Sequence, residues 1–212
     1  MYPLVLSESS IDQIVDSLRI WKVIAIPTET VYWLACDASN DIAVRKLFDL
    51  KQRSLDKAIG MLVADVSMIE ASCKTISPFE HAVIQKYMPW ALTLVLPKKD
   101  HISLLMTGGK DSVWVRMPDY PLLQQAIAQF GWPIAATSAN ISTQPSPTSI
   151  EQVFDYFPWN VDLYIDGGVC SIWVASTVIE IQSDNNNPIV HVHRQWSISK
   201  EDIQSFLHIN GV

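Results

Sequence analysis

The chain has 212 residues, 49% of them hydrophobic and 17% charged, with a formal net charge of −7. That length suits one large α/β domain with a substantial buried core, and the hydrophobic content excludes intrinsic disorder. Three scattered cysteines exclude a disulfide scaffold, no apolar run is long enough for a membrane span, and the N-terminus lacks a basic region before a long apolar stretch. A soluble, reducing, cytoplasmic setting is the expectation. One composition feature is unusual: eight tryptophans stand against seven glycines, about 3% glycine where roughly 7% is ordinary.

In chain order, Ser10 to Leu18 predicts an amphipathic helix, with Ile11, Ile14, Val15 and Leu18 on one face. Val23 to Ile26 is a short apolar strand stopped by Pro27. Ala43 to Lys51 has helical spacing at Val44, Leu47 and Phe48, and Ile59 to Val63 is strand-like. Phe79 to Tyr87 predicts a helix, Leu92 to Leu96 a strand ended by Pro97, and Val113 to Val115 a strand before Arg116. Leu122 to Phe130 is a helix, Ile134 to Ala136 a strand and Ile150 to Phe154 a helix. Strands return at Leu163 to Asp166, Thr177 to Ile181 and Ile189 to His193, and a helix closes the chain at Lys200 to Leu207. Strands and helices alternate without a composition break, which predicts one α/β domain with a largely mixed sheet. Ser142 to Thr148 and Ser183 to Pro188 are turn clusters and not linkers.

Neither a Walker loop nor a G-x-G-x-x-G turn is present. His191 and His193 share a strand face without a third ligand, so no metal site is expected. Cys36, Cys73 and Cys170 read as buried thiols. What remains is a set of polar groups at strand ends: Thr28 to Thr30, Lys51 and Arg53 with Lys57 close behind, Arg116, Thr137 to Asn140, and Ser176 with Thr177. Ligands of open α/β sheets bind beyond strand ends, and cations with hydroxyls and an amide there suit a phosphate-bearing ligand. Taken singly, each has a structural alternative. Lys51 and Arg53 favour a helix C-terminus, and Ser138 and Asn140 suit caps or turns.

Read together in order, these segments resemble the YrdC-like threonylcarbamoyl-AMP synthase family. Pro27 to Tyr32 resembles its P-T-E-T-V-Y-G-L-G strand-to-helix turn, and Leu50 to Arg53 its K-x-R element. Pro89 to Leu96 resembles its W-P-G-P-L-T-L-V-L strand entry, Val113 to Pro118 its V-G-V-R-x-P, and Thr137 to Ser142 its T-S-A-N-x-S. Ser176 to Val178 matches S-T-V, and Arg194 to Trp196 stands at R-x-G, so the match runs from about residue 10 to 205.

The resemblance implies a single YrdC-like domain over residues 1–212, a twisted mixed sheet flanked by helices with a central ligand cavity. It also implies a nucleotidyltransferase joining L-threonine, bicarbonate or CO2 and ATP into threonylcarbamoyl-AMP and pyrophosphate. That product feeds N6-threonylcarbamoyladenosine formation at position 37 of tRNA, through downstream threonylcarbamoyl-transfer proteins. Lys51 and Arg53 would be catalytic and hold the triphosphate, with Ser138, Asn140, Ser176 and Arg194 completing the ATP side. Thr30, Tyr32, Lys57 and Arg116 would serve the threonine end, and Mg2+ is expected on the phosphates. The short segment after Arg194 implies the single-domain form. Two alternatives come from other classes: a non-catalytic module binding a nucleotide, tRNA or double-stranded RNA, and a carbamoyl-transfer domain of a hydrogenase maturation protein. The net charge of −7 weighs against a broad RNA-binding face.

The departures from the family pattern concentrate in one substitution. Trp21, Trp33, Trp90, Trp114, Trp159, Trp173 and Trp196 stand where the pattern carries or commonly carries glycine, and Trp132 sits in turn context beside Gly131. Ala35 replaces a further glycine. The expectation is that these tryptophan codons are UGA, read as glycine in a recoded bacterial lineage. The alternative is a tryptophan-rich paralogue in which Trp33 and Trp173 crowd the nucleotide site.

Overall fold

The computed structural model describes residues 4–7, 11–184 and 187–209. Ser10, where the sequence starts its first helix, and Asn185 and Asn186 of the second turn cluster lie outside the described residues. The chain runs β1 (Leu4–Ser7), α1 (Ile11–Arg19), β2 (Ile24–Pro27), β3 (Tyr32–Asp37), α2 (Asp41–Leu50), β4 (Gly60–Leu62), α3 (Val66–Ser72), α4 (Pro78–Tyr87) and β5 (Leu92–Pro97). It continues through β6 (Ser112–Arg116), α5 (Pro121–Phe130), β7 (Ile134–Ser138), α6 (Ile150–Tyr156), β8 (Leu163–Asp166), β9 (Thr177–Asp184), β10 (Asn187–Arg194) and α7 (Lys200–Ile209).

The strands form one ten-stranded sheet in the order β1-β8-β2-β3-β7-β4-β6-β5-β9-β10. It is mixed: β1–β8, β2–β8, β4–β6 and β5–β9 pair in parallel, and the remaining neighbours are antiparallel. Helices cover both faces. On one, α1 packs on α5, and Ile14, Leu18, Leu123 and Ile127 meet Ile24, Ile26 and Ile134 of the sheet. On the other, Val44, Leu47 and Phe48 of α2, Val83 and Ile84 of α4 and Val153 of α6 build a larger core.

Local chemistry sets the helix ends. The Asn40 carboxamide accepts from the backbone of Ile42 and Ala43 at the start of α2, and Ser77 with Glu80 forms a capping box on α4. Gly131, at φ 81, closes α5 in the left-handed conformation that glycine adopts without penalty.

The predicted elements are present, with three additions and one correction. β3 was hidden because all six of its residues are buried, so no polar alternation marks it. α3 is only seven residues long and buries just Ile69 and Ser72, and β1 is four residues paired to a strand far along the chain. The segment from Pro27 to Tyr32 is a hairpin between antiparallel β2 and β3, not a strand-to-helix turn. Thr28 makes that reversal possible: its hydroxyl donates to the Val31 carbonyl at 2.9 Å and accepts from the Thr30 N–H at 3.2 Å.

Candidate active site

Four segments converge over the middle of the sheet. In the β2–β3 turn, Thr30 is fully buried with its hydroxyl 2.8 Å from that of Thr28. Glu29 reaches the end of β6, where Arg116 Nη2 donates to its Oε1 at 2.7 Å. Both side chains are almost wholly buried. The Tyr32 hydroxyl donates to the Gly168 carbonyl at 2.8 Å and accepts from the Gly167 N–H at 3.2 Å. Burial pushes its phenol above the ordinary range.

The second segment follows α2. Lys51 caps the helix and turns inward, and its Nζ donates to the Ser138 carbonyl and, at 2.5 Å, to the Asn140 carbonyl. Burial, and then the nearby Arg53 charge, pulls its ammonium down to about 7. Arg53 donates from Nε to the Lys57 carbonyl at 3.1 Å and from Nη2 to the Ala58 carbonyl at 2.7 Å. Two anchors in its own loop therefore aim the guanidinium.

The third segment is the turn after β7. The Ser138 hydroxyl donates to Asn140 Oδ1 at 2.5 Å, and Asn140 Nδ2 donates to the Ile141 and Gln144 carbonyls at 2.8 and 2.7 Å. In the fourth, the Ser176 hydroxyl lies 2.8 Å from that of Thr93. Arg194, at the end of β10, donates to the Ser176 carbonyl at 3.1 Å and to its hydroxyl at 3.2 Å.

Between these segments lies a cavity of about 110 Å³ whose lining includes Arg53, Arg116, Arg194, Thr93 and Ser138 together with Trp33 and Trp114. Strand register explains the grouping. Trp33 pairs with Ser138, Gly60 with both Ala136 and Trp114, and Leu62 with Arg116. Paired residues present their side chains to the same face of a sheet, so these residues share one floor. Three guanidinium groups thus meet in one cleft of a chain whose net charge is −7. Such a local field attracts anions whatever the global charge.

Of the predicted site residues, Arg53, Ser138, Arg116 and Arg194 line the cavity. Lys51, Asn140 and Ser176 stand behind these, each bonded to a lining residue or to its turn. Thr30 and Tyr32 hold the hairpin and the Gly167–Gly168 loop. The Lys57 side chain is exposed and outside the lining, and its backbone carbonyl is what anchors Arg53. Sequence reasoning missed Thr93 and the partnership of Glu29 with Arg116. The only signal for Glu29 is an acidic residue just beyond an apolar strand, which does not name its partner.

Among the described residues, no group of three or more His, Cys, Asp or Glu side chains could hold a metal ion. Cys36, Cys73 and Cys170 are free and buried, and burial pushes all three thiols up, away from the reactive thiolate. No helix among the described residues is long and apolar enough to cross a membrane.

A family model for Sua5, YciO and YrdC proteins, described as "Telomere recombination", matches residues 17–195. The chain belongs to the Sua5, YciO and YrdC family. A threonylcarbamoyl-AMP synthase of Bacillus subtilis (strain 168) is 37% identical over 202 residues, covering 95% of this chain and 57% of its own length. One from Pyrococcus abyssi (strain GE5 / Orsay) is 40% identical over 164 residues, covering 77% of this chain and 48% of its own. This Sua5, YciO and YrdC chain therefore spans about half the length of these two curated relatives. The crystal structure of P. abyssi Sua5 complexed with L-threonine superposes with a TM-score of 0.89 at 33% identity, covering 97% of this chain and 61% of that one. The family's twisted mixed sheet flanked by helices is the fold of this chain.

Proposed function

We propose that this chain is an L-threonylcarbamoyladenylate synthase, forming threonylcarbamoyl-AMP and pyrophosphate from L-threonine, bicarbonate or CO2, and ATP. One observation carries the reading: Arg53, Arg116 and Arg194 converge on a single cleft, with Lys51 latched beneath it. Cationic donors gathered from three segments suit a triphosphate and a carboxylate held together. The names of the relatives and the threonine bound to P. abyssi Sua5 support the same substrates. We further propose that residues 1–212 form a single YrdC-like domain acting in the cytoplasm, whose product goes to tRNA threonylcarbamoyl-transfer proteins.

In this reading Arg53 takes the β- and γ-phosphates and Lys51 backs it from beneath the cavity, together offsetting the charge that develops as pyrophosphate leaves. Ser138, Asn140, Ser176 and Arg194 hold the nucleotide side. Arg116 meets the substrate carboxylate, with Thr30 and Tyr32 fixing the hairpin beside it and Lys57 fixing the Arg53 loop through its carbonyl. The carboxylate of N-carboxythreonine then attacks the α-phosphorus in line, and the protein's part is orientation and charge stabilisation. A magnesium ion arriving with the nucleotide would add charge stabilisation at the phosphates.

The test, on a form carrying glycine at the tryptophan positions where the family pattern has it, is pyrophosphate release that requires ATP, threonine and bicarbonate together. Arg53→Ala should abolish it while the far-ultraviolet circular dichroism stays unchanged. Release independent of threonine would sink the assignment, and undiminished turnover in Arg53→Ala would remove that residue from the site.

A further inference from the structure

Three of the eight tryptophans hold left-handed backbone: Trp21 at φ 62, Trp159 at φ 65 and Trp173 at φ 62. Among the described non-glycine residues only Gln52 and Thr143 join them. The same region holds Gly108, Gly109, Gly131 and Gly168, at φ 63 to 81. A β-carbon is disfavoured there, and glycine escapes the penalty.

Trp21 shows the conflict most clearly. The Lys22 N–H bonds to the Ser17 carbonyl and the Trp21 N–H to the Leu18 carbonyl, both at 3.0 Å. These are the two bonds of a Schellman helix end, which puts Trp21 at the position where glycine is the usual residue. Nor does burial offset the backbone cost, because Trp21, Trp159 and Trp173 are 51%, 59% and 66% exposed.

A different observation concerns Trp33 and Trp114, whose backbones are ordinary β-strand. Both line the cationic cavity. The Trp33 ring lies 3.7 Å from where a β-carbon on Gly60 would stand and 5.3 Å from the Arg116 guanidinium carbon. Its Nε1 is buried without a hydrogen-bond partner, as are Nε and Nη1 of Arg116. Buried donors left unpaired are costly, and Oε2 of Glu29, the carboxylate paired with Arg116, is buried and unpaired as well. The free volume of about 110 Å³ also falls well below the roughly 300–1,000 Å³ of small-molecule sites. Unpaired guanidinium donors suit an anion, and the Trp33 ring stands beside them.

We propose that the working chain carries glycine at positions 21, 33, 114, 159 and 173, encoded by UGA triplets that its source organism reads as glycine. With indoles absent at 33 and 114, the cavity admits a nucleoside triphosphate whose phosphate oxygens satisfy Arg116. The ligand half of this proposal rests on the synthase reading, and the residue half does not.

Two measurements test it. The first compares the coding triplets with tryptic peptide masses of the native protein. UGA with glycine-mass peptides at the five positions is expected, and a UGG triplet or a tryptophan-mass peptide at any of them overturns the proposal. The second titrates ATP calorimetrically into the chain as written and into a form carrying Trp21→Gly, Trp33→Gly, Trp114→Gly, Trp159→Gly and Trp173→Gly. The glycine form should bind at least about ten-fold tighter. Equal affinity overturns the role of the two indoles as a plug. A glycine form that binds ATP but releases no threonine-dependent pyrophosphate upholds this proposal and removes the synthase reading.

Discussion

Lys51 shows how much one side chain's surroundings decide. It is nearly fully buried, and burial brings its ammonium from 10.5 to about 7. Between those values the unfolded chain binds more protons than the folded one, so this lysine makes stability rise with pH across that window. An anion beside Nζ restores the charge. ATP binding to the glycine form at about pH 8 should therefore take up a proton, and affinity should fall as pH rises further. Calorimetry in buffers of different ionisation enthalpy measures the uptake, and Lys51→Met should abolish it. Glu29 makes the opposite point, since it serves Arg116 and not a substrate. Glu29→Ala leaves that guanidinium buried and uncompensated, and should cost about 3–5 kcal/mol in urea unfolding. The sequence made Lys51, Arg53, Arg116 and Arg194 legible as site residues because cations at strand and helix ends stand out against an apolar background. It could not reveal that Lys57 points outward or that Tyr32 tethers a glycine pair. Those depend on which way a loop folds back, and no local spacing encodes that.

At the scale of elements, the helix ends divide into those whose residue suits the backbone and one that does not. Gly131 closes α5 at φ 81, whereas Trp21 closes α1 at φ 62. Trp21→Gly should raise stability by about 1 kcal/mol, and Gly131→Ala should lower it by a similar amount. Thermal denaturation of the two variants side by side checks both signs. Gly108 is a different case. A β-carbon there would stand 2.5 Å from the Asp56 carbonyl oxygen, inside the loop that aims Arg53. Made in the glycine form, Gly108→Ala should push that loop away and lose turnover, with little change in helix content by circular dichroism. Elements with a clean period were readable in advance: α1 from its apolar stripe, β5 from its run of branched residues. β3 was not, because strands buried on both faces lose the alternation that marks a half-exposed strand.

Across the whole molecule, the acidic surface and the cationic cleft separate the two binding behaviours weighed from the sequence. A double-stranded RNA reader needs a broad face of cations to displace counterions, and here Arg53, Arg116 and Arg194 are committed to a cavity. A short RNA duplex should accordingly give no gel shift at about 150 mM salt, while ATP still binds the glycine form. A retarded duplex band would restore the RNA reading. Sheet order was beyond the sequence for a related reason, because pairing partners lie far apart in the chain and leave no local trace.

That pairing also bears on how the protein is made. β8 joins β1 and β2 into the sheet, and its neighbour Asp162 accepts from the Val23 N–H at 2.8 Å. β3 likewise waits for β7, and β5 for β9. Emerging from a ribosome, the first hundred residues present strands whose partners have not been synthesised. The nascent chain carries open strand edges until β7, β8 and β9 emerge, so the sheet closes only late in translation.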